Sequence, residues 1–329
     1  MTFPLVTAAF TAYNASPTIA AALDSAIRQD WPNLEIVVVD DFSADDTADI
    51  IKAVIARNGA NRSMRLLCQP QNLGVANARN RLLHEARGEF IAFFDDDDVS
   101  SPARVRSQFE RISHAERVSG TDLILCHTAR HQLFPNGRRQ YEPTMGTGAT
   151  LPRGAAVADR ILIGRLSAGV VGSCATCSQM AKTSVYRHIG GFDSSIRRGE
   201  DTDFNIRFAL AGGIFAGLSE PLVTQQMTGG GEKELATENA SHVAVYEKYA
   251  PYLSSIGWLE FHRRWQQLRS ASLAGKRYEA VEPFLRILLR HPIKLAQKVA
   301  WSLPARQTRV CYRRWKREAA VEVESAEQR

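Results

Sequence analysis

Four short, almost unbroken apolar runs constrain this chain more than any other feature: they lie at residues 5–11, 34–39, 64–68 and 90–94, and each is followed by a polar turn and a helical pattern. Runs that lack the polar alternation of a half-exposed strand suit a parallel sheet covered on both faces. Between them, Ser16 and Pro17 read as an N-cap with proline at the first helical position, and Ser43 with Asp46 three residues later reads as a capping box. A third helix is predicted over 75–86, with Gly88 near its end as a cap residue. The order is therefore βαβαβαβ. Right-handed crossovers turn that order into an α/β, doubly wound, mostly parallel sheet whose ligand cleft lies beyond the carboxyl ends of the strands.

Function is then expected just after each strand. The residues there are Thr11-Ala12-Tyr13-Asn14, Asp40-Asp41, Gln69 to Gly74, and Asp95 to Asp98. No GxGxxG or GxxxxGKS segment follows the first run, which removes most of the weight from dehydrogenase, kinase and GTPase readings.

Four consecutive aspartates at a cleft mouth repel one another unless a cation or solvent relieves them. Mg²⁺ and Mn²⁺ prefer oxygen ligands and commonly combine one or two carboxylates with substrate phosphates, so this cluster suits a metal that grips a diphosphate. The plainer alternative is a solvated acidic turn capping the helix that begins near Pro102. Asp40-Asp41 suits hydrogen bonding to a base or ribose, or simply caps the next helix. Glu200-Asp201-Thr202-Asp203, after the turn GGFD at 190–193, would by itself complement a helix dipole.

Taken in order, these segments resemble the family 2 glycosyltransferases of the GT-A fold, over the stretch from the N-terminal region to about residue 225. Thr11 to Asn14 resembles that family's opening nucleotide loop. QDWPNLEIVVVDDFSADDT, from Gln29 to Thr47, is similar to its second-strand signature, and Asn72, Gly74, Ala78, Arg79, Asn80, Gly88 and Glu89 follow its third block into FFDDDD.

The resemblance implies that Thr11, Tyr13, Asp41, Asn72, Arg79, Asp95 and Asp96 bind a nucleotide sugar, a UDP-sugar first among them. Asp97 would be the metal ligand for Mn²⁺ or Mg²⁺, Asp201 the catalytic base of an inverting transfer, and Glu200 and Asp98 supports. The acceptor would be a glycan or lipid-linked hydroxyl in cell-surface polysaccharide or glycolipid synthesis. Two departures stand out: VTQQMTGGG occupies 223–231, where a basic or histidine residue usually follows the last core strand, and QxxRW is missing, which favours single addition over polymerisation. A sugar nucleotidyltransferase would show a Gly-rich basic loop near the N-terminus. A noncatalytic module would not need Asp95, Asp97 and Asp201 together.

These assignments divide the chain into a catalytic domain over 1–228, with halves 1–100 and 101–228, and a basic helical region over 229–329. The Gly- and Pro-containing stretch 135–154 is expected to be a mobile loop. The formal net charge of +6 belongs to the last part, because 258–317 carries 15 Lys or Arg against three Glu and leaves the remainder acidic. Apolar residues recur there at helical spacing, with breaks expected at Pro283, Pro292 and Pro304. Attachment of 258–317 to an anionic membrane surface and packing against the protein itself or a second subunit both fit; no interleaved stacking platform points to nucleic acid. Cys68, Cys126, Cys174, Cys177 and Cys311 form no disulfide framework, and the single CxxC reads as ordinary packing. With no basic residue ahead of the first apolar stretch and no run of the ~20 residues that span a bilayer, a cytoplasmic protein, peripheral at the inner face of the plasma membrane, is expected.

Overall fold

The computed structural model describes residues 3–59, 62–167, 169–227, 241 and 243–302. Among them, nine strands form one sheet. The first four apolar runs are strands β1 (Val6–Ala12), β2 (Leu34–Asp40), β3 (Ser63–Cys68) and β4 (Phe90–Asp95), all parallel, in the order β3-β2-β1-β4. Helices α1 (Ile19–Ile27), α2 (Thr47–Asn58) and α3 (Val75–Glu85) form the crossovers. Every residue of β2 is buried, which is why no polar alternation appears in its sequence.

The sheet continues with β5 (Val99–Ser100), α4 (Arg104–Ser119), β6 (Ile124–Leu133), β7 (Arg139–Glu142), α5 (Ala155–Ile163), β8 (Gln179–Lys182), α6 (Thr183–Ile189), α7 (Glu200–Leu210) and β9 (Ile214–Gln226). Strand β8 joins β4 and β6 antiparallel, β9 runs parallel to β6, and β5 pairs with the far end of β9. The sheet thus changes from parallel to mixed at β4, the strand that carries the aspartates.

Local readings of the caps need correction. Ser16 and Pro17 lie in a turn, and α1 begins at Ile19 behind Thr18. Ser43 turns its hydroxyl to Asp40 Oδ1 (2.5 Å) and Asp46 makes no side-chain cap bond, so no capping box forms. Gly88 is not a cap either: a Cβ there would meet the Thr7 amide nitrogen at 2.6 Å, so the residue permits close approach to β1. The stretch 135–154 is partly a β6–β7 hairpin, with Thr144 and Met145 buried.

The chain divides into two compact units, one of residues 1–158 and 167–227, the other of 159–166 and 228–329. Described helices of the second are α8 (Ala250–Ser255), α9 (Leu259–Leu273), α10 (Arg277–Arg290) and α11 (Pro292–Ser302). Pro283 sits inside α10 without ending it, Pro292 starts α11, and Pro304 and Cys311 lie outside the described residues. No described helix is long and apolar enough to cross a membrane.

Candidate active site

The carboxyl ends of β1, β2 and β4 stand side by side. Thr11 pairs in register with Val39 and with Asp95, so the Thr11 loop and the aspartate turn are neighbours by construction. The Tyr13 amide donates to Asp96 Oδ2 (2.9 Å), fastening one loop to the other. Beyond the strand ends Asn14 (φ 49°) and Phe42 (φ 66°) adopt left-handed backbone, an uncommon state for residues other than glycine that concentrates at functional sites. Asn14 is held there by two bonds, its amide to Ser43 Oγ and its Oδ1 from the Ala44 amide. The Tyr13 and Phe42 rings are each about half exposed. Phe42 escaped the sequence reading because a phenylalanine after DD looks like the start of the next helix's apolar stripe.

Asp41 is buried and its carboxylate is engaged. Oδ1 accepts from Gln69 Nε2 (2.5 Å) and the Leu73 amide (2.9 Å), and Oδ2 from the Gly74 amide (2.8 Å). Its carbonyl accepts from exposed Asn72 (3.3 Å). Asp41 therefore organises the loop that leads into α3, where Gly74 (φ 86°) needs a conformation free to glycine.

That loop aims Arg79 into the interior. Its Nη1 donates to Glu200 Oε1 and its Nη2 stands 3.6 Å from Asp95 Oδ1, with the guanidinium 5.4 Å above the Phe192 ring. Burial opposes the charge on Arg79, but Glu200, Asp95 and Asp201 outweigh it and raise its pKa. One guanidinium thus joins α3, the end of β4 and the start of α7. Asn80 adds a second tie: its Nδ2 donates to the Phe192 carbonyl (2.7 Å) and its Oδ1 accepts from the Phe192 amide (2.8 Å). Gly199 (φ 86°) then opens α7, whose first turn carries buried Glu200, partly exposed Asp201 and buried Asp203. Asp203 pairs with Arg207 (2.8 Å), and Asp201 Oδ1 accepts from its neighbour Thr202.

The four aspartates do not share one environment. Burial pushes the Asp96 carboxyl up to about 7, against the pull of the Tyr13 amide and with help from Asp95 and Asp97. Burial and the Asp95 charge push Asp97 up to about 6. Asp98 is held well above the usual range by burial and by Asp95 and Asp97; its Oδ1 accepts from the Gln226 amide (3.0 Å), while Oδ2 is buried with no hydrogen-bond partner among the described residues. This is the signature of carboxylates short of positive charge, and the residues fit a divalent cation on that observation.

Among the described residues, the donor atoms that converge most closely are those of Asp95, Asp98 and Cys177, within 4.8 Å of one another; Asp97 is not in that trio. The Cys177 thiol is buried, its pKa is pushed far up by burial and by Asp98, and Arg130 donates to its sulfur (3.5 Å). A protonated, soft sulfur is a poor ligand for Mg²⁺ or Mn²⁺. Asp95, Asp96 and Asp97 are partly exposed, whereas Asp98 is buried.

Two buried arginines that the sequence did not single out support this turn. Arg104 donates to Ser100 Oγ (2.9 Å), Gln108 Oε1 (3.0 Å) and the Phe93 carbonyl (2.6 Å), and lies 4.2 Å over the Phe94 ring. Burial lowers its pKa to about 10, against the charges of Asp98 and Asp95 nearby. Arg130 also bonds Ser173 and Gln225. Fully buried His127 is a core residue: burial takes its pKa down to about 3, and it stacks on Phe215.

The model of the Glycosyl transferase family 2 matches residues 7–181, more than half of the chain, and the chain belongs to that family. It is 39% identical over 112 residues to the succinoglycan biosynthesis protein ExoO of Rhizobium meliloti (strain 1021), covering 34% of this chain and 31% of that protein. It is also 39% identical over 106 residues to the UDP-Glc:alpha-D-GlcNAc-diphosphoundecaprenol beta-1,3-glucosyltransferase WfaP of Escherichia coli, over 32% of this chain and 39% of that one. The matched stretch therefore spans only about a third of the length of these relatives. The fold is similar to S. aureus TarS 1-349 in complex with UDP-GlcNAc, with a TM-score of 0.56 at 16% identity over 85% of this chain and 89% of that one. It is also similar to the mannosyltransferase PcManGT of Pyrobaculum calidifontis with GDP-Man and Mn2+, with a TM-score of 0.51 at 18% identity over 92% and 87% of the two chains.

Proposed function

We propose that this chain transfers a glycosyl group from a nucleoside-diphosphate sugar to an acceptor hydroxyl, by direct displacement with inversion at the anomeric carbon. The observation that supports the reading is the buried Arg79 guanidinium, which contacts both Asp95 and Glu200 and feels the charge of Asp201, the residue after Glu200. Relatives and fold neighbours that use UDP-Glc, UDP-GlcNAc and GDP-Man support a nucleotide-sugar donor, UDP-linked in the first instance. The WfaP name supports a lipid-linked glycan acceptor, and with it work at a membrane surface.

In this reading the nucleoside lies over the ends of β1 and β2, against the half-exposed rings of Tyr13 and Phe42, with Thr11 below it. Asp41 and Asn72 act by holding the Gln69–Gly74 loop in place, since the Asp41 carboxylate is committed to that loop. Asp96 fixes the Tyr13 backbone, and Asp95 and Asp97 hold Mn²⁺ or Mg²⁺, backed by Asp98. The cation supplies Lewis-acid neutralisation of the charge that develops on the leaving diphosphate. Asp201 takes the acceptor proton; among the described residues its carboxylate accepts hydrogen bonds from Thr202 alone. Glu200 holds Arg79, and through it the spacing between α7 and the turn.

The test is hydrolysis and transfer with a panel of UDP- and GDP-sugars in the presence of Mn²⁺ or Mg²⁺. Turnover of one donor, abolished by chelation and restored by the ion, is expected. No turnover of any nucleotide sugar with either ion, by protein that binds none of them calorimetrically, would sink the reading.

A further inference from the structure

The aspartate turn carries a second arrangement of donor atoms that the transfer chemistry does not use. Strand β8 runs antiparallel to β4, with Ala92 opposite Met180. Three residues on from Ala92 is Asp95, and three residues back from Met180 is Cys177, so the continuing line of the two strands brings this cysteine, in the 3-10 turn Thr176–Ser178, beside the first aspartate. A carboxylate oxygen of Asp95, one of Asp98 and the Cys177 sulfur lie within 4.8 Å of one another.

Acidic groups crowd together on many protein surfaces, but two of these three residues are not at a surface. Asp98 is 4% exposed and Cys177 2%. Asp98 Oδ1 is taken by the Gln226 amide, and its buried Oδ2 has no hydrogen-bond partner among the described residues. An oxygen buried without a donor is costly, and a cation beside it removes the cost. Asp95 is partly exposed, which gives an ion a way in from solvent.

The third donor decides which ion. Mg²⁺ and Mn²⁺ favour oxygen, whereas Zn²⁺ takes thiolate and carboxylate together, at about 2.3 Å and about 2.0–2.2 Å. A tetrahedron with those bond lengths sets its ligand atoms roughly 3.4–3.6 Å apart, so small rotations of three short side chains close the set on the metal. Arg130 already supplies the outer hydrogen bond that such a ligand carries. Its Nη1 donates to the sulfur (3.5 Å), and the guanidinium is anchored on Ser173 Oγ (2.7 Å) and Gln225 Oε1 (2.9 Å).

We propose that Asp95, Asp98 and Cys177 form a Zn²⁺ site with water as the fourth ligand, separate in its donor set from the Mn²⁺ or Mg²⁺ site of Asp95 and Asp97. As the bond from zinc to sulfur forms, the thiol proton and that of any protonated carboxyl leave to solvent, and no oxidant is needed. Because both sites draw on Asp95, Zn²⁺ excludes the catalytic cation and acts as an inhibitor. That exclusion rests on the transferase reading; the binding of Zn²⁺ does not.

Cd²⁺ tests the site, since it substitutes for Zn²⁺ and its bond to thiolate absorbs in the ultraviolet. Titration of the full chain, with its thiols kept reduced, should give a saturable band that Zn²⁺ suppresses and equimolar Mg²⁺ does not. The band should survive in Cys68→Ser, which removes an exposed thiol, and vanish in Cys177→Ser with circular dichroism unchanged. Asp98→Asn keeps the sulfur and the shape of the turn, and should weaken Cd²⁺ by at least the roughly 10–100-fold that loss of an outer partner costs. No band, a band undiminished in Cys177→Ser, or an Asp98→Asn variant that binds as tightly as the parent overturns the proposal. Zn²⁺ should also release bound Mn²⁺ as free ion in electron paramagnetic resonance, and Mn²⁺ retained by the Zn²⁺-loaded chain overturns the shared use of Asp95. Protein that takes Cd²⁺ at Cys177 and no Mn²⁺ at all would keep this site and sink the catalytic cation instead.

Discussion

Arg79 and Glu200, 121 positions apart in sequence, form a buried ion pair that ties the middle of α3 to the first residue of α7. Asp95 stands 3.6 Å from the same guanidinium, so one side chain links the end of β4 to the first turn of α7.

Arg79→Ala should therefore cost more than an ordinary surface charge. It leaves the Glu200 carboxylate buried without its partner, a change that typically costs about 3–5 kcal/mol. Urea unfolding should show that loss, and Arg79→Ala/Glu200→Gln should recover part of it, because the orphaned charge is gone. A single mutant within about 0.5 kcal/mol of the parent would mean that the pair is not sustained in solution.

The Asn80 clamp predicts a second effect on the same geometry. Asn80→Ala removes two hydrogen bonds to the Phe192 backbone, about 1 kcal/mol each. Gly191 (φ 65°) closes the same contact, since a Cβ there would meet Asn80 Oδ1 at 2.5 Å. Asn80→Ala should lower stability by about 2 kcal/mol and reduce kcat more than donor affinity, since the GGFD turn leads to α7 and not to the nucleotide loops. Steady-state kinetics beside calorimetric donor binding checks the split.

Asp201→Asn isolates the proton transfer. The amide keeps the shape of the side chain and can still meet Thr202, but it cannot accept the acceptor's proton. Transfer should fall by about 10² to 10⁴-fold with donor affinity unchanged. A mutant that transfers at the parental rate would assign the base elsewhere on the site.

The parts of this molecule legible in sequence are those whose physics is local or continuous. Strands β1, β2 and β4 are legible because burial on both faces removes polar residues from a run, and β2 is buried throughout; edge strand β3 is partly exposed and keeps Ser63 and Arg65. Caps were misread because their partners are tertiary: Thr47 Oγ1 accepts from the Ala15 amide (2.8 Å), a bond across 32 residues, while Ser43 is drawn to Asp40. Arg104 was invisible for the same reason. An arginine in the first turn of a helix reads as solvated, and only the carbonyl of Phe93 and the Phe94 ring explain why it is buried. Cys177 looked like half of a CxxC, yet what defines it is Arg130, 47 positions away. The order of acidic stations could be read from the chain. That one arginine contacts two of them could not, because the contact spans α3 and α7.

The raised carboxyls make the last prediction, in which pH and metal are linked. Asp96 and Asp97 titrate near 7 and 6 in the folded chain because burial and mutual repulsion disfavour their charged forms. Without metal, the folded state therefore holds protons that the unfolded state has released. This contribution to stability is fully present below the unfolded carboxyl value of 3.8 and is lost as pH rises through 6 and 7. A divalent cation reverses the balance, since it binds the deprotonated carboxylates and must displace those protons. The gain in Tm on adding Mn²⁺ should thus be small at about pH 5 and clearly larger at about pH 7.5. Asp97→Asn should abolish the gain, and because an amide carries no charge it should also flatten the decline in Tm of the metal-free protein between those two values. Scanning calorimetry with and without chelator measures both quantities. An Mn²⁺ shift independent of pH, or preserved in Asp97→Asn, would place the cation away from this turn.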